Sequence, residues 1–283
     1  MSGAPPVLLA LARRPDDAAP LALAAMLARL IGAPLALVTA CPVDPLVPPA
    51  PSHVPEVTAG GKAALEEAAA GLRGDLDVSV HVRFGHPADV VHRVAEELGA
   101  ALIVAGSSHR GHVRRVLAGD TSLRILHASR CALAVAPRRY RAPERLSRIA
   151  VAYDGSRESR DALAAGVGLA LLTGGEVTTY TVQESIAERP RTEALAREAL
   201  ELAPADVVRH ADVLTGRPAA ALAALSADFD LMVCGSRGRG PLRGALLGSV
   251  VQGLVEATAC PLLILPREPR HLLGALHRHA ETA

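Results

Sequence analysis

Two tandem α/β domains, each a doubly wound five-stranded parallel sheet with helices on both faces, are what this sequence predicts. Three observations carry that prediction. The chain has 283 residues, long for one domain and comfortable for two of ~100–200 residues each. Its two halves repeat each other in sequence. Each half alternates five short apolar runs with Ala- and Leu-rich segments, the rhythm of parallel strands buried on both faces by helices.

The repeat has an offset of 129 residues, which lays the segment from Gly106 to Pro137 on that from Gly235 to Pro266. Matching pairs include Gly106/Gly235, Ser107/Ser236, Arg110/Arg239, Gly119/Gly248, Cys131/Cys260 and Pro137/Pro266. Upstream, Gly85-His86-Pro87 lies on Gly216-Arg217-Pro218 once two residues of length difference are allowed. A period this long marks a duplicated domain rather than a solenoid unit. The Pro- and Arg-rich stretch from Pro137 to Pro143 is the expected linker. The predicted boundaries are 1–138 and 146–267, followed by a C-terminal tail over 268–283.

In the first half, the apolar runs Val7–Leu11, Leu35–Thr39, Val78–Val82, Leu102–Ala105 and Leu133–Val135 are the expected strands. The stretch from Pro20 to Ala40 is broken by Arg29, Gly32 and Pro34, so it reads as helix, turn and buried strand rather than a membrane span. The loop from Cys41 to Thr58 holds six prolines. In the second half, Ile149–Tyr153 is a strand running into Asp154-Gly155-Ser156 and then a helical segment to Leu172. Val177–Val182, rich in β-branched residues, is a strand, Thr192–Leu202 a helix and Val207–Val213 a strand. Pro218 opens a helix where its missing N–H costs nothing, and Ala219–Ser226 follows. Leu231–Cys234 is a strand, Ser249–Ala257 a helix and Leu262–Leu265 the closing strand.

Composition excludes several classes of function. Hydrophobic residues make up 50% of the chain but aromatics only 2%, with no Trp. Ala, Val, Leu and Ile must therefore fill the core, and a base-stacking surface has nothing to be built from. A net charge of +1 gives no electrostatic case for nucleic acid or membrane lipid. Cys41, Cys131, Cys234 and Cys260 form no C-x-x-C pair. They read as small buried hydrophobes in a reducing compartment, and the expected location is the cytoplasm. His109 and His112 form an H-x-x-H without a third ligand in view, so no metal site is predicted.

The segment with chemistry in it runs from Gly235 through Arg237, Gly238, Arg239, Gly240, Pro241, Arg243 and Gly244 to Gly248, Ser249 and Val250. It leaves a strand, crosses five glycines and three arginines, and enters a helix. In open parallel sheets, ligands bind beyond the carboxyl ends of the strands, where this loop sits. Glycine permits positive φ and close approach of backbone to an anion. Amides at Gly248, Ser249 and Val250 would open a helix whose dipole favours negative charge. The arginines would add charge-assisted hydrogen bonds worth roughly 1.5–3 kcal/mol each once desolvated. No G-x-x-x-x-G-K-[ST] occurs, so the P-loop reading lacks its lysine. Gly238-x-Gly240-x-x-x-Gly244 imitates a dinucleotide fingerprint, but it carries Pro241 and sits after the fourth strand.

The spacing Gly235-x2-Gly238-x9-Gly248-Ser249 resembles the nucleotide-binding signature of the ATP-binding universal stress proteins, and the resemblance spans nearly the whole chain as two copies. It implies a Rossmann-like fold and an adenine nucleotide, ATP alone or with Mg2+, as ligand. It also implies a nucleoside contact from Asp154, base contacts from Val182 and Cys234, and ribose and phosphate contacts from Gly235, Gly238, Gly248, Ser249 and Val250. Arg237 adds charge to the same loop. The last strands of such domains commonly pair, so the two halves are expected to form an intramolecular pseudo-dimer through Leu133–Val135 and Leu262–Leu265, and a homodimer of whole chains is compatible with the pattern. The first half departs from the signature. His109 replaces the second glycine, Asp120 follows Gly119 where a Ser or Thr donor belongs, and Leu11-Ala12-Arg13-Arg14 offers no counterpart of Asp154. The first half is therefore not expected to bind ATP.

The expected role is a nucleotide-binding stress or signalling protein rather than an enzyme, with slow ATP hydrolysis as its upper limit. No Ser/His/Asp arrangement or paired carboxylate can be placed near the phosphates from the sequence. The alternatives are a scaffold of the same fold that binds no nucleotide, and a binder of cyclic AMP. Each candidate residue also has a purely structural reading. The glycines would serve turns and helix packing, Asp154 would share the helix cap with Ser156, and Val182 and Cys234 would be core.

Overall fold

A computed structural model describes residues 4–12, 17–41, 53–107, 124–125, 131–236, 248–267 and 269–280. The strands are β1 (Val7–Ala10), β2 (Leu35–Cys41), β3 (Val78–Phe84), β4 (Leu102–Gly106) and β5 (Ala132–Ala136) in the first half. The second half has β6 (Arg148–Ala152), β7 (Glu176–Gln183), β8 (Val208–Thr215), β9 (Leu231–Gly235) and β10 (Leu262–Leu265). The described helices are α1 (Ala18–Leu30), α2 (Val54–Ala70), α3 (Pro87–Leu98), α4 (Arg157–Thr173), α5 (Arg189–Glu201), α6 (Pro218–Leu225), α7 (Ser249–Ala257) and α8 (Arg270–Ala280).

All ten strands form one sheet in the order β3-β2-β1-β4-β5-β10-β9-β6-β7-β8. Within each half the neighbours run parallel. The halves meet where β5 and β10 run antiparallel, with Leu262 opposite Val135, Leu263 opposite Ala134 and Ile264 opposite Leu133. Two strand edges that would otherwise present unpaired backbone groups are thereby covered. The antiparallel junction also points the carboxyl ends of the two halves toward opposite edges of the sheet.

Alternation along the strands divides the core into two layers. Leu9, Ile149, Val151, Val233 and Leu263 join residues of α1, α2, α4, α5 and α8 in one layer. Leu8, Ala150, Met232, Cys234 and Ile264 join residues of α3, α6 and α7 in the other. The duplication extends to the backbone. Gly85 and Gly216 both have φ +136°, and each is followed by an extended N-cap, His86 or Arg217, and a proline that opens a helix. Only glycine takes that φ without strain.

Two expectations change. The loop after β2 ends sooner than Thr58, because α2 starts at Val54 with Pro55 in its first turn. The region after residue 267 is not a tail. Helix α8 buries Leu272, Ala275 and Leu276, an i, i+3, i+4 stripe that packs on α4, where Leu276 lies against Gly168. At its far end the His279 ring reaches Gly32 of the first half. A Cβ built on Gly32 would lie 2.8 Å from Nδ1. No described helix is long and apolar enough to cross a membrane.

Candidate functional site

In the second half β6 has β7 on one side and β9 on the other. The chain order reverses between β6 and β9, and in open α/β sheets ligands bind at the carboxyl edge beside such a switch point. Three segments end there: the turn after β6, the end of β7, and the return of the β9 loop into α7.

After β6, the Tyr153 N–H extends the ladder to the Tyr180 carbonyl (2.9 Å), which leaves Asp154 half-buried at the rim. Gly155 follows at φ +70°. Asp154 Oδ1 accepts the Ser156 N–H at 2.9 Å. Ser156 is the N-cap of α4, its Oγ accepting the Ser159 N–H at 3.1 Å. The structural reading of Asp154 therefore holds, with the cap and the turn divided between two residues. One carboxylate oxygen carries the turn, and a carboxylate has lone pairs on both.

At the end of β7, Val182 is half-buried opposite Leu214 of β8. It packs on the same layer as Cys234, Ala152, Tyr180 and Val250, so strand ends distant in sequence present one continuous apolar surface. Cys234 is buried one residue before the end of β9, and burial pushes its thiol up to about 12. It is an apolar wall and not a nucleophile.

Gly235 is glycine for a reason other than its φ, which lies outside the positive range. A Cβ there would lie 2.7 Å from Glu158 Cβ and 2.9 Å from the Glu158 carbonyl carbon, so any side chain would drive β9 and α4 apart. The Ser236 N–H then bonds the Leu265 carbonyl (2.7 Å), and the Gly248 N–H bonds the Ser236 carbonyl (3.3 Å). The excursion between residues 236 and 248 is thus pinned shut at its neck. Arg237 and Gly238, with Arg239 and Arg243, lie outside the described residues.

Gly248 is the N-cap of α7, at φ −62° and ψ 140° with no side-chain cap. The expectation of positive φ does not apply here, since any L residue adopts these angles. The Gln252 N–H is the first to bond back, to the Gly248 carbonyl (3.2 Å). The amides of Ser249, Val250 and Val251 have no acceptor within the helix, and Ser249 is exposed. The predicted residues Asp154, Val182, Cys234, Gly235, Gly248, Ser249 and Val250 thus gather along one stretch of one edge. Among the described residues no cluster of His, Cys, Asp or Glu could hold a metal ion.

Several groups beside this edge escaped the sequence reading. Tyr153 is 2% exposed, and its hydroxyl donates to Glu198 Oε1 of α5 at 2.7 Å. Burial first, and the Glu198 carboxylate second, push the phenol up to about 12. Arg160 donates to the same oxygen from Nε at 3.0 Å. Gln183, just past Val182, donates from Nε2 to Thr215 Oγ1 (3.0 Å), and its Oε1 lies 3.0 Å from Thr192 Oγ1 of α5. Glu158, behind Gly235, pairs with Arg267 beyond β10 at 3.3 Å. None of these residues sits in a motif, and only the fold brings them together.

In the first half the Ser107 N–H bonds the Ala136 carbonyl (2.9 Å), repeating the Ser236–Leu265 bond. The Leu11 N–H continues the β1 ladder to Val38, with Ala12 where the second half has Asp154. His109, Gly119 and Asp120 lie outside the described residues.

Known proteins give the same architecture. The model of the Universal stress protein family matches residues 5–137 and again 146–266. Two universal stress proteins of Mycobacterium tuberculosis are each 31% identical to this chain. One aligns over 217 residues, 69% of this chain and 74% of the relative. The other aligns over 222 residues, 71% and 72%. A universal stress protein from Archaeoglobus fulgidus superposes with a TM-score of 0.73 at 19% identity, covering 92% of this chain and 96% of that one; the likeness is one of fold. With the family pattern matched once per half and relatives of the same family aligned across more than two thirds of its length, the chain belongs to the universal stress protein family.

Proposed function

We propose that the second half binds one adenine nucleotide, ATP alone or with Mg2+, and that the protein works as a nucleotide-dependent stress or signalling module rather than as an enzyme. One observation carries the reading. The ends of β6, β7 and β9 and the start of α7 converge at the switch point, bringing a carboxylate, an apolar wall and free-ended helix amides to one edge. These are the three recognition elements a nucleotide needs: a polar contact for the nucleoside, a surface for the base, and amide donors for phosphates. The residues fit such a ligand. Asp154 and Val182 are half-buried and Ser249 is exposed, which supports a ligand seated along this edge.

In this reading Val182 and Cys234 lie against the base and Asp154 accepts from the nucleoside. The Ser249 and Val250 amides and the Ser249 hydroxyl receive phosphate beside Gly248, and Arg237 and Gly238 complete the loop. The first half has Ala12 at the position matching Asp154, so the expected stoichiometry is one nucleotide per chain. Titration calorimetry with ATP, ADP and cyclic AMP tests the proposal. Saturation at one ATP per chain is expected. Two sites per chain would remove the asymmetry between the halves. Silence with every nucleotide at millimolar concentration would overturn the reading in favour of a scaffold.

A further inference from the structure

We propose that Glu198 is a positioning residue for the nucleotide seat, tying together the two ends of the turn that presents Asp154. The proposal rests on the nucleotide reading above and adds to it a residue from the opposite layer of the molecule. Glu198 lies on α5, which packs in the layer of Leu195 and Ala199, whereas Cys234 and Val250 belong to the other layer.

The geometry is that of a clamp. Tyr153 immediately precedes Asp154, and Arg160 lies in the first turn of α4. Both donate to one atom, Glu198 Oε1: the Tyr153 hydroxyl at 2.7 Å and Arg160 Nε at 3.0 Å. Between them, Asp154 Oδ1 accepts the Ser156 N–H and Ser156 Oγ accepts the Ser159 N–H, while Glu158 pairs with Arg267 beyond β10. The two local bonds shape a turn but do not fix its direction relative to the sheet. Glu198 adds a long-range restraint that reaches both ends of the turn, 45 residues from Tyr153 and 38 from Arg160. The same helix reaches the neighbouring strand end, where Thr192 meets Gln183 beside Val182. Helix α5 therefore sets the separation between the carboxylate for the nucleoside and the wall for the base. The Tyr153 ring is buried, so its hydroxyl cannot exchange this partner for bulk water without moving the chain that carries Asp154.

A double-mutant cycle on the full chain, read by ATP titration, separates positioning from plain stability. Glu198→Ala should weaken ATP about five- to thirtyfold, within the range of coupling between residues that share a network. Glu198→Gln, which keeps an acceptor oxygen, should recover most of that loss. In an Asp154→Asn background, Glu198→Ala should cost less than about twofold, because the contact it aims has already been weakened. If Glu198→Ala does not fold, Tyr153→Phe deletes only the hydroxyl and carries the same cycle. Affinity unchanged in Glu198→Ala, or losses that add fully to those of Asp154→Asn, would overturn the clamp and leave the nucleotide reading standing. A wild-type protein that binds no ATP would overturn the reading itself, and that result is visible in the wild-type titration alone.

Discussion

Gly248→Asp offers a sharp test, because the change should leave the fold intact or slightly firmer while removing the ligand. Gly248 sits at φ −62° and ψ 140°, angles open to aspartate, so no backbone strain enters. Aspartate is a better N-cap than glycine, and its carboxylate would accept from the first-turn amides of α7, adding a few tenths of a kcal/mol to about 1 kcal/mol of stability. Those amides are the proposed phosphate donors. Filling them with a resident carboxylate removes the seat and sets a negative charge where the phosphates would lie. At ~4 Å and an effective dielectric near 20, that repulsion is about 4 kcal/mol per unit charge before salt screening. Half of it would still weaken binding roughly thirtyfold, and all of it roughly thousandfold. Calorimetric titration with ATP, paired with circular dichroism and a thermal melt, reads both effects. An unchanged or raised melting temperature with ATP binding lost is expected. A folded variant that binds ATP within about threefold of wild type would show that the amides opening α7 are not the phosphate site.

Three further outcomes are expected. Gly235→Ala should destabilise by about 1–3 kcal/mol in urea unfolding, since its Cβ would press on the backbone of α4 at Glu158; no loss would mean that strand and helix can separate freely. Leu276→Ala should cost about 2–5 kcal/mol, because its side chain is buried against α4, and a neutral result would return α8 to the status of a loose tail. Burial raises the thiols of Cys131, Cys234 and Cys260 from about 9 to about 12. A raised acid contributes stability that is complete below its unfolded value and is lost as pH climbs through the folded one. Unfolding free energy should therefore hold level up to about pH 9 and fall between 9 and 12, and Ellman's reagent should find these thiols inert in the folded protein at pH 8.

The strands were legible because burial on both faces writes itself locally, as runs such as Leu262–Leu265, and helix α7 matches its predicted span of Ser249–Ala257 residue for residue. The glycine spacing from Gly235 to Gly248 was legible because it is a property of the sequence alone. Helix α2 was obscured by the prolines before it and by a narrow buried stripe, Gly61, Leu65 and Ala69, too sparse to stand out against its alanines. The reason for glycine at 235 was also hidden, because it depends on a helix that begins 78 residues earlier in the chain, as 235 less 157.

By itself the sequence determined the duplication, the alternation of strands and helices, and which half keeps an intact loop, since all three rest on residue types at fixed spacing. Only the tertiary structure decided that α8 folds back to meet both halves and that Glu198 closes the turn of Asp154. It also decided that Tyr153, Gln183 and Glu158 lie beside the strand ends proposed to seat the nucleotide. Those arrangements join residues tens to more than two hundred positions apart. Hydrophobic burial and hydrogen-bond satisfaction select such contacts only when the whole chain is compact, so no local pattern announces them.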